Sequence, residues 1–597
     1  VLAALFSLAA IAPSFGEKCS LGLLPPLEVT MRDLQPLVHA QINGKDALFI
    51  ADSGAFISSV IPDTVSQFGM SLDRRYQDIY VVGAGGGETA QVARAKTFTL
   101  LGKTFSNVDF VIAGRFFGPD VAGLLGQNVF RIADVEYDLA NGVIHLAQPH
   151  DCKNTPLAYW APAEQKHFSV LDIDFASAHE PHTTGVALLN GEKIHVTFDT
   201  GAGVSVLTLA AAKRAGITPS SPGVANGGVT FGVGRRVVQT WIATFSSFKI
   251  GDEEVQHARL RFGDVDLSGK DMLIGADFFL SHRVYVASSQ GKLYFTYNGG
   301  PVFDLRAAPK TDSGAATASS EPAATVSPAA AAMQAGTGSP ADAAGFARRA
   351  MASATRHDYA SAITDLTRAC ELSPGESSYY YERGRVYLEN HQDDLALADQ
   401  DQAIKLKPDN VDALLARAWL NARRHATPDV LAADLEAADR AAPREADSRL
   451  QIAGLYEYIE QPAAAVVQYS RWIDSHPGNG LLMPGVLNAR CWARALVGQG
   501  LDQALADCNA ALSARRGTPA FLDSRGLVYL RLGNYDKAIA DYDAALHQEP
   551  KLAWSLYGRG VAKLRKGKAG EGQGDIAAAT ALEPKISELA GRYGIGP

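Results

Sequence analysis

Two aspartates stand in matched surroundings. Ile42-Asn43-Gly44 precedes Asp52-Ser53-Gly54-Ala55, and Leu189-Asn190-Gly191 precedes Asp199-Thr200-Gly201-Ala202. In each case the Asn lies nine residues before the Asp, and a Ser, Ser58 or Ser205, lies six after it. Further landmarks recur downstream: Gly102 and Gly251, Leu124-Leu125-Gly126 and Leu273-Ile274-Gly275, then Gly142 and Gly291. The whole unit repeats at an offset of 147 to 149 residues. Two carboxylates held close cannot both ionise, so one keeps a proton. Such a pair offers a base that can activate a water and an acid that can polarise a carbonyl. The two titrate as one unit. A lone Asp-Gly turn would mark only a loop; the duplicated context is what points to paired chemistry.

The elements around these aspartates read as short strands. Residues 20–305 carry Val, Ile, Phe, Thr and Gly in brief runs with turn signals between them, as at 47–51, 96–100 and 292–297. Close spacing of short strands predicts a sandwich or barrel. Two glycine runs follow the aspartate motifs. One comprises Gly83, Gly85, Gly86 and Gly87; the other begins at Gly227 and Gly228 and continues to Gly232-Val233-Gly234. The first lacks the Gly-Lys-Ser/Thr ending of a phosphate-binding loop, and no helix start follows it.

Each unit resembles a retropepsin lobe, as in retroviral-type and bacterial aspartic peptidases. The matched pattern is an apolar strand, Asp-Ser/Thr-Gly-Ala, a glycine-rich segment and an apolar-apolar-Gly triplet, over nearly all of 27–300. The resemblance implies an all-β, bilobal acid-protease fold, with lobes at 20–152 and 153–306 pairing within one chain. It implies Asp52 and Asp199 as the catalytic dyad. Ser53 and Thr200 become the hydroxyls that lock the two loops together. Gly54, Ala55, Gly201 and Ala202 complete the active-site loops, with glycine permitting the tight turn. The glycine runs become flaps that close over a polypeptide substrate. No metal and no cofactor is implied. Ser at 53, where Thr is usual, keeps the hydroxyl. A protein of another class, a non-catalytic scaffold that holds extended peptides in the same cleft, would not need both aspartates.

Beyond the lobes, residues 307–342 are Ala, Ser, Pro, Thr and Gly with scarcely a large apolar side chain, and read as a disordered linker. From 343 to 597 the chain is Ala- and Leu-rich with a period of 34: Pro374 to Pro408, Gly526 to Gly560, Ala545 to Ala579, Pro550 to Pro584. Gly526, Tyr529, Tyr535, Ala538, Tyr542, Ala545 and Pro550 recur at the spacings of a tetratricopeptide (TPR) repeat. About seven units plus a C-terminal cap are expected, forming an all-α superhelix that binds substrate or partner proteins. The linker predicts two separable modules, with peptide cleavage independent of the array.

Net charge is −9 over 597 residues, with both signs mixed and no basic stripe for nucleic acid. Residues 1–12 are almost wholly apolar but too short to span a bilayer, which takes about 20 residues. Ser14 and Gly16, two apart before Glu17, fit a cleavage site, so residues 1–16 read as a signal-peptide remnant and the chain as exported, periplasmic or secreted. The five cysteines show no metal-ligand spacing. Retropepsin-like lobes bring their ends together, which makes Cys19 and Cys152 a candidate disulfide. Cys491 and Cys508 fall at two inward positions of one repeat and are a second candidate.

Overall fold

The computed structural model describes residues 14–15, 19–73, 79–83, 86–114, 117–161, 168–174, 182–230, 238–303, 325–326 and 340–597. They divide into two units, Val1–Ala396 and Leu397–Pro597. The predicted leader lies outside the described residues apart from Ser14–Phe15, which pairs with Cys19–Leu23. Most of the predicted linker lies outside them too; its Thr325–Val326 adds a short strand to Glu253–Gly263.

In the first unit each lobe is built around one hairpin. Gln35–Ile42 turns at Asn43-Gly44 into Lys45–Ala51. Thr184–Leu189 turns at Asn190-Gly191 into Glu192–Phe198. All four turn residues have positive φ, between 49° and 83°, the two-residue geometry that Asn-Gly adopts at least cost. Asn43 also ties the turn down: its Nδ2 donates to Phe68 O (2.8 Å) and its Oδ1 accepts from Thr97 N (3.1 Å). The second strand of each hairpin then runs parallel to the apolar strand of the later landmark. Ala51 pairs with Leu125, and Phe198 with Ile274. Both strand ends are buried on both faces; 47–51 reads as an unbroken apolar run, and in 196–198 only Thr197 interrupts it.

A third sheet joins the lobes. Asp134–Asp138 of the first pairs antiparallel with His282–Ala287 of the second, with Glu136 opposite Tyr285. Cys19–Leu23, Val143–His150, Lys292–Tyr297 and Ser169–Asp172 extend it. One apolar core runs through both lobes, from Phe49 and Phe110 to Phe198, Phe245 and Phe278. Cys19 and Cys152 are disulfide-bonded at the edge of the joining sheet, Cα atoms 4.6 Å apart.

The helices Ala343–Thr355, Tyr359–Leu372 and Ser377–Glu389 also belong to the first unit. The first of them docks on the strands. Ala352, fully buried, joins the core shared by the lobes. Gly142, at φ 69°, sits so close that a Cβ there would lie 2.5 Å from Cβ of Arg348. Arg356 Nη1 donates to the carbonyls of Leu280 (3.2 Å) and Gly299 (3.4 Å), and Arg348 pairs with Glu28 (3.2 Å). The expectation of two freely separable modules is therefore corrected. The composition of the linker reports only on the linker; the apolar face that grips the lobes lies beyond it.

From Ala343–Thr355 to Ala569–Leu582 fourteen helices follow one another, and the short helix Ile586–Arg592 comes after them. Small residues let paired helices approach. Ala538 and Ala545 are fully buried, and a Cβ on Gly526 would lie 2.8 Å from the Tyr542 ring. An Arg–Asp pair recurs between the helices of a unit: Arg349–Asp365, Arg417–Asp434, Arg490–Asp507, Arg525–Asp541 and Arg559–Asp575. In the second unit Cys491 and Cys508 form a disulfide between Met483–Val497 and Leu501–Ala514. Among the described residues no helix is long and apolar enough to cross a membrane.

Candidate active site

The paired strands deliver both aspartates to one place. Asp52 N donates to Leu125 O, and Asp199 N to Ile274 O, each at 2.9 Å. The two loops then interlock. Ser53 N donates to Thr200 Oγ1 (3.0 Å), and Thr200 N to Ser53 Oγ (3.0 Å). Ser53 Oγ donates on to Phe198 O (3.1 Å), and Thr200 Oγ1 to Ala51 O (2.6 Å). Each hydroxyl thus anchors the opposite lobe, and both are shut away from water.

Within each loop the carboxylate accepts two amide N–H bonds. Asp52 Oδ1 accepts from Gly54 and Ala55, both at 2.8 Å; Asp199 Oδ1 accepts from Gly201 (2.9 Å) and Ala202 (3.2 Å). The glycines are dictated by the opposite lobe. A Cβ on Gly54 would lie 2.2 Å from Cγ of Asp199, and one on Gly201 would lie 2.2 Å from Cγ of Asp52. Asp52 and Asp199 hydrogen-bond to each other. Burial holds both carboxyls above the ordinary carboxylate range, and for Asp52 the neighbouring charge pushes the same way. One proton is therefore retained between them.

Four further residues, Asn128, Asp277, Tyr137 and Gln127, support the loops. In the first lobe Asn128 Oδ1 accepts from Ser58 N (2.7 Å) and Ser58 Oγ (2.8 Å), and Ser58 Oγ accepts from Gly126 N (3.0 Å). In the second, Asp277 accepts from Ser205 N (2.9 Å) and Oγ (2.7 Å), and Ser205 Oγ accepts from Gly275 N (2.9 Å). Asn128 and Asp277 each lie two residues after the landmark glycine, a signal present in the sequence. Tyr137 is the third. Its buried hydroxyl bonds to Ser53, and burial pushes that hydroxyl far up. At the offset of the landmark glycines the second lobe has Val286, so this support is one-sided. Gln127 adds to the asymmetry, its Nε2 reaching Ser53 O at 2.5 Å where the second lobe has Ala276.

Asp277 carries a pH dependence. Burial pushes its carboxyl from 3.8 up to about 6, against the hydrogen bonds it accepts. The folded state therefore holds this proton more tightly than the unfolded chain does. That contribution is complete below the unfolded value and is lost as pH rises through about 6. Asp277→Asn, which copies the first lobe's Asn128, should remove the loss and stabilise the protein at pH 7.5 by up to about 3 kcal/mol. Urea unfolding at pH 5 and 7.5 measures this. A variant less stable than the parent at pH 7.5 would contradict the assignment.

The glycine runs fall in different places. Gly83 pairs with Gly86 and Gly87 with Val82 in a hairpin of Ile79–Gly83 with Gly86–Leu100; Gly85 lies outside the described residues. A Cβ on Gly87 would strike the Tyr80 ring, and Val81 shares an apolar cluster with Ile57 of the active-site loop. Gly227 and Gly228 sit at a bulge in the strand Ala225–Thr230 rather than at a tip. Their carbonyls are held by Arg261 Nη1 and by Thr240 Oγ1 (2.9 Å), respectively. Residues 231–237, with Gly232 and Gly234, lie outside the described residues. Among the described residues no cluster of three or more His, Cys, Asp or Glu is arranged to hold a metal ion.

Comparison with known proteins agrees with this geometry. Residues 38–129 match a family model described as aspartyl protease, and residues 186–281 one described as gag-polyprotein putative aspartyl protease. Residues 348–411 match a tetratricopeptide repeat model and residues 526–567 a TPR repeat model. Solved structures similar to the chain are TPR proteins. One is YrrB, described as having an unusual peptide-binding site, at 15% identity, covering 38% of this chain and 97% of that one, TM-score 0.22. Another is a tetratricopeptide repeat protein from Parabacteroides merdae, at 15% identity, 42% and 95% coverage, TM-score 0.29. MamA matches at 17% identity, 37% and 97% coverage, TM-score 0.21. No curated protein sequence matches significantly.

Proposed function

We infer that this chain, with two aspartyl protease-type domains in tandem followed by TPR repeats, is an aspartic-type endopeptidase. The observation that carries the reading is the facing pair Asp52 and Asp199, hydrogen-bonded to each other and raised together. In the monoprotonated pair the ionised carboxylate takes a proton from a water lodged between the two groups. The protonated one donates to the carbonyl oxygen of the scissile peptide. The resulting gem-diol collapses as a proton passes to the leaving amine, with no covalent enzyme intermediate. Because the two loops are locked by Ser53 and Thr200, the carboxylates are aligned before substrate arrives.

Both aspartates lie on one chain, so the site needs no second copy. The TPR repeats support a protein-binding role beside the cleft, for substrate or partner. The reading includes an exported chain, supported by the two disulfides, which persist in oxidising compartments. The test is digestion of reduced, carboxymethylated casein by the full chain between pH 3 and 7. Cleavage that pepstatin blocks is expected. A folded, disulfide-intact protein that cuts nothing across that range would leave the lobes a peptide-holding scaffold instead.

A further inference from the structure

The second unit holds a cavity of about 270 Å³ that the proposed proteolysis does not use. It is lined from five helices or their ends: Ser448–Tyr458, Pro462–Ser475, Met483–Val497, Ala553–Arg565 and Ile586–Arg592. Four of its lining side chains are aromatic. Trp492 and Trp554 meet edge to face with ring centroids 5.3 Å apart. Tyr593 lies beside them, and Tyr458 is half-exposed with its hydroxyl fixed to Ala422 O (3.1 Å). Trp492 follows Cys491 directly, so the disulfide to Cys508 helps hold its helix in place.

Two carboxylates share the cavity, and they differ. Glu460 is engaged by Arg592 (2.5 Å), which also binds Glu588 (2.6 Å). Glu457 has no cation among the described residues. The Tyr469 hydroxyl bonds to it, but its Oε1 has no partner. Burial pushes its carboxyl up to about 7, so an added positive charge is what would hold it ionised. A buried acceptor left open is costly unless something fills it.

Aromatic rings and an unmatched carboxylate around one small cavity are the complement of a cation. A guanidinium is matched best by a carboxylate presenting both oxygens. Glu457 has only one left, which suits the compact ammonium on a slender alkyl stem. We propose that this cavity binds a lysine side chain of an extended polypeptide, with the ammonium on Glu457 and the methylenes against Trp492 and Trp554. The proposal rests on the protein-binding reading of the repeats and gives it a chemistry.

The full chain is titrated with decalysine and with Nζ-acetylated decalysine, following tryptophan fluorescence. Decalysine should bind saturably, and the acetylated form at least tenfold more weakly. Glu457→Gln keeps shape and removes one charge; it should weaken decalysine about tenfold. Trp554→Leu should weaken it severalfold. Glu583→Gln, at an exposed position outside the cavity lining, should bind as the parent does. Equal affinity in parent and Glu457→Gln, or no binding of decalysine, overturns the proposal. Carboxymethylated casein, titrated alongside, separates the two levels. Casein binding that ignores Glu457→Gln leaves a protein-binding array and removes this pocket. Absence of binding to any polypeptide removes both.

Discussion

Asp52→Asn, and separately Asp199→Asn, should each lower hydrolysis of an unfolded protein by roughly 10³-fold or more, the scale of losing an acid–base partner. The fold should survive. Asparagine keeps an oxygen to accept the N–H bonds of Gly54 and Ala55, or of Gly201 and Ala202. What it cannot do is share a titrating proton. The double variant should be little worse than either single one, because the two groups act as a unit. In the parent, rate should fall on both sides of an optimum. Toward acid the base becomes protonated; toward alkali the shared proton leaves. Since burial raises both groups and the neighbouring charge raises Asp52 further, the alkaline loss should lie above the ordinary carboxylate range. Turnover near the parental rate in either single variant would defeat the dyad assignment.

Ending the chain at residue 306 should destabilise the lobe pair, whereas ending it after Gln392 should not. The first truncation removes the helix Ala343–Thr355. It uncovers the core around Ala352, empties the contact over Gly142, and strips Arg356 from the carbonyls of Leu280 and Gly299. Losses of that kind sum to about 3 kcal/mol or more, which lowers the melting temperature by roughly 5 °C or more for a unit of this size. Peptide cleavage should fall with it, because the docked helix also braces the strands leading to Gly142. Differential scanning calorimetry of the two truncations beside the full chain decides the matter. Equal melting temperature and equal peptide turnover at 306 would restore the picture of independent modules.

The sequence alone was enough for whatever is local. Asn-Gly turns at 43–44 and 190–191 need only the backbone freedom of those residues. The Asp-Ser/Thr-Gly-Ala loops follow a strand at fixed distance, and the 34-residue period follows from stacking like helix pairs on one another. Duplication then made each landmark visible twice, so Asp52 and Asp199 could be paired across 147 residues without coordinates. Asn128 and Asp277 were within reach of the same comparison, two residues past Gly126 and Gly275. Glycine alone does not separate a bulge from a hairpin tip, which ask for the same residue and differ only in what lies across the sheet; Gly227 and Gly228 stand at a bulge.

Only the tertiary structure decided the rest. Tyr137 meets Ser53 because a third sheet, drawn from both lobes, passes beneath the dyad. No periodicity within either strand records that neighbour. The need for Gly at 54 and 201 comes from the opposing carboxylate, not from the local turn alone. The helix at 343–355 carries an ordinary amphipathic pattern whose apolar face does not say whether it meets another helix or the lobes. The cavity around Glu457 gathers residues from 457 to 593. Its open carboxylate oxygen belongs to Glu457, while Arg592 pairs with Glu460. Contacts of this kind depend on which surfaces approach, and that is set by burial over the whole chain rather than by residue type at any one position.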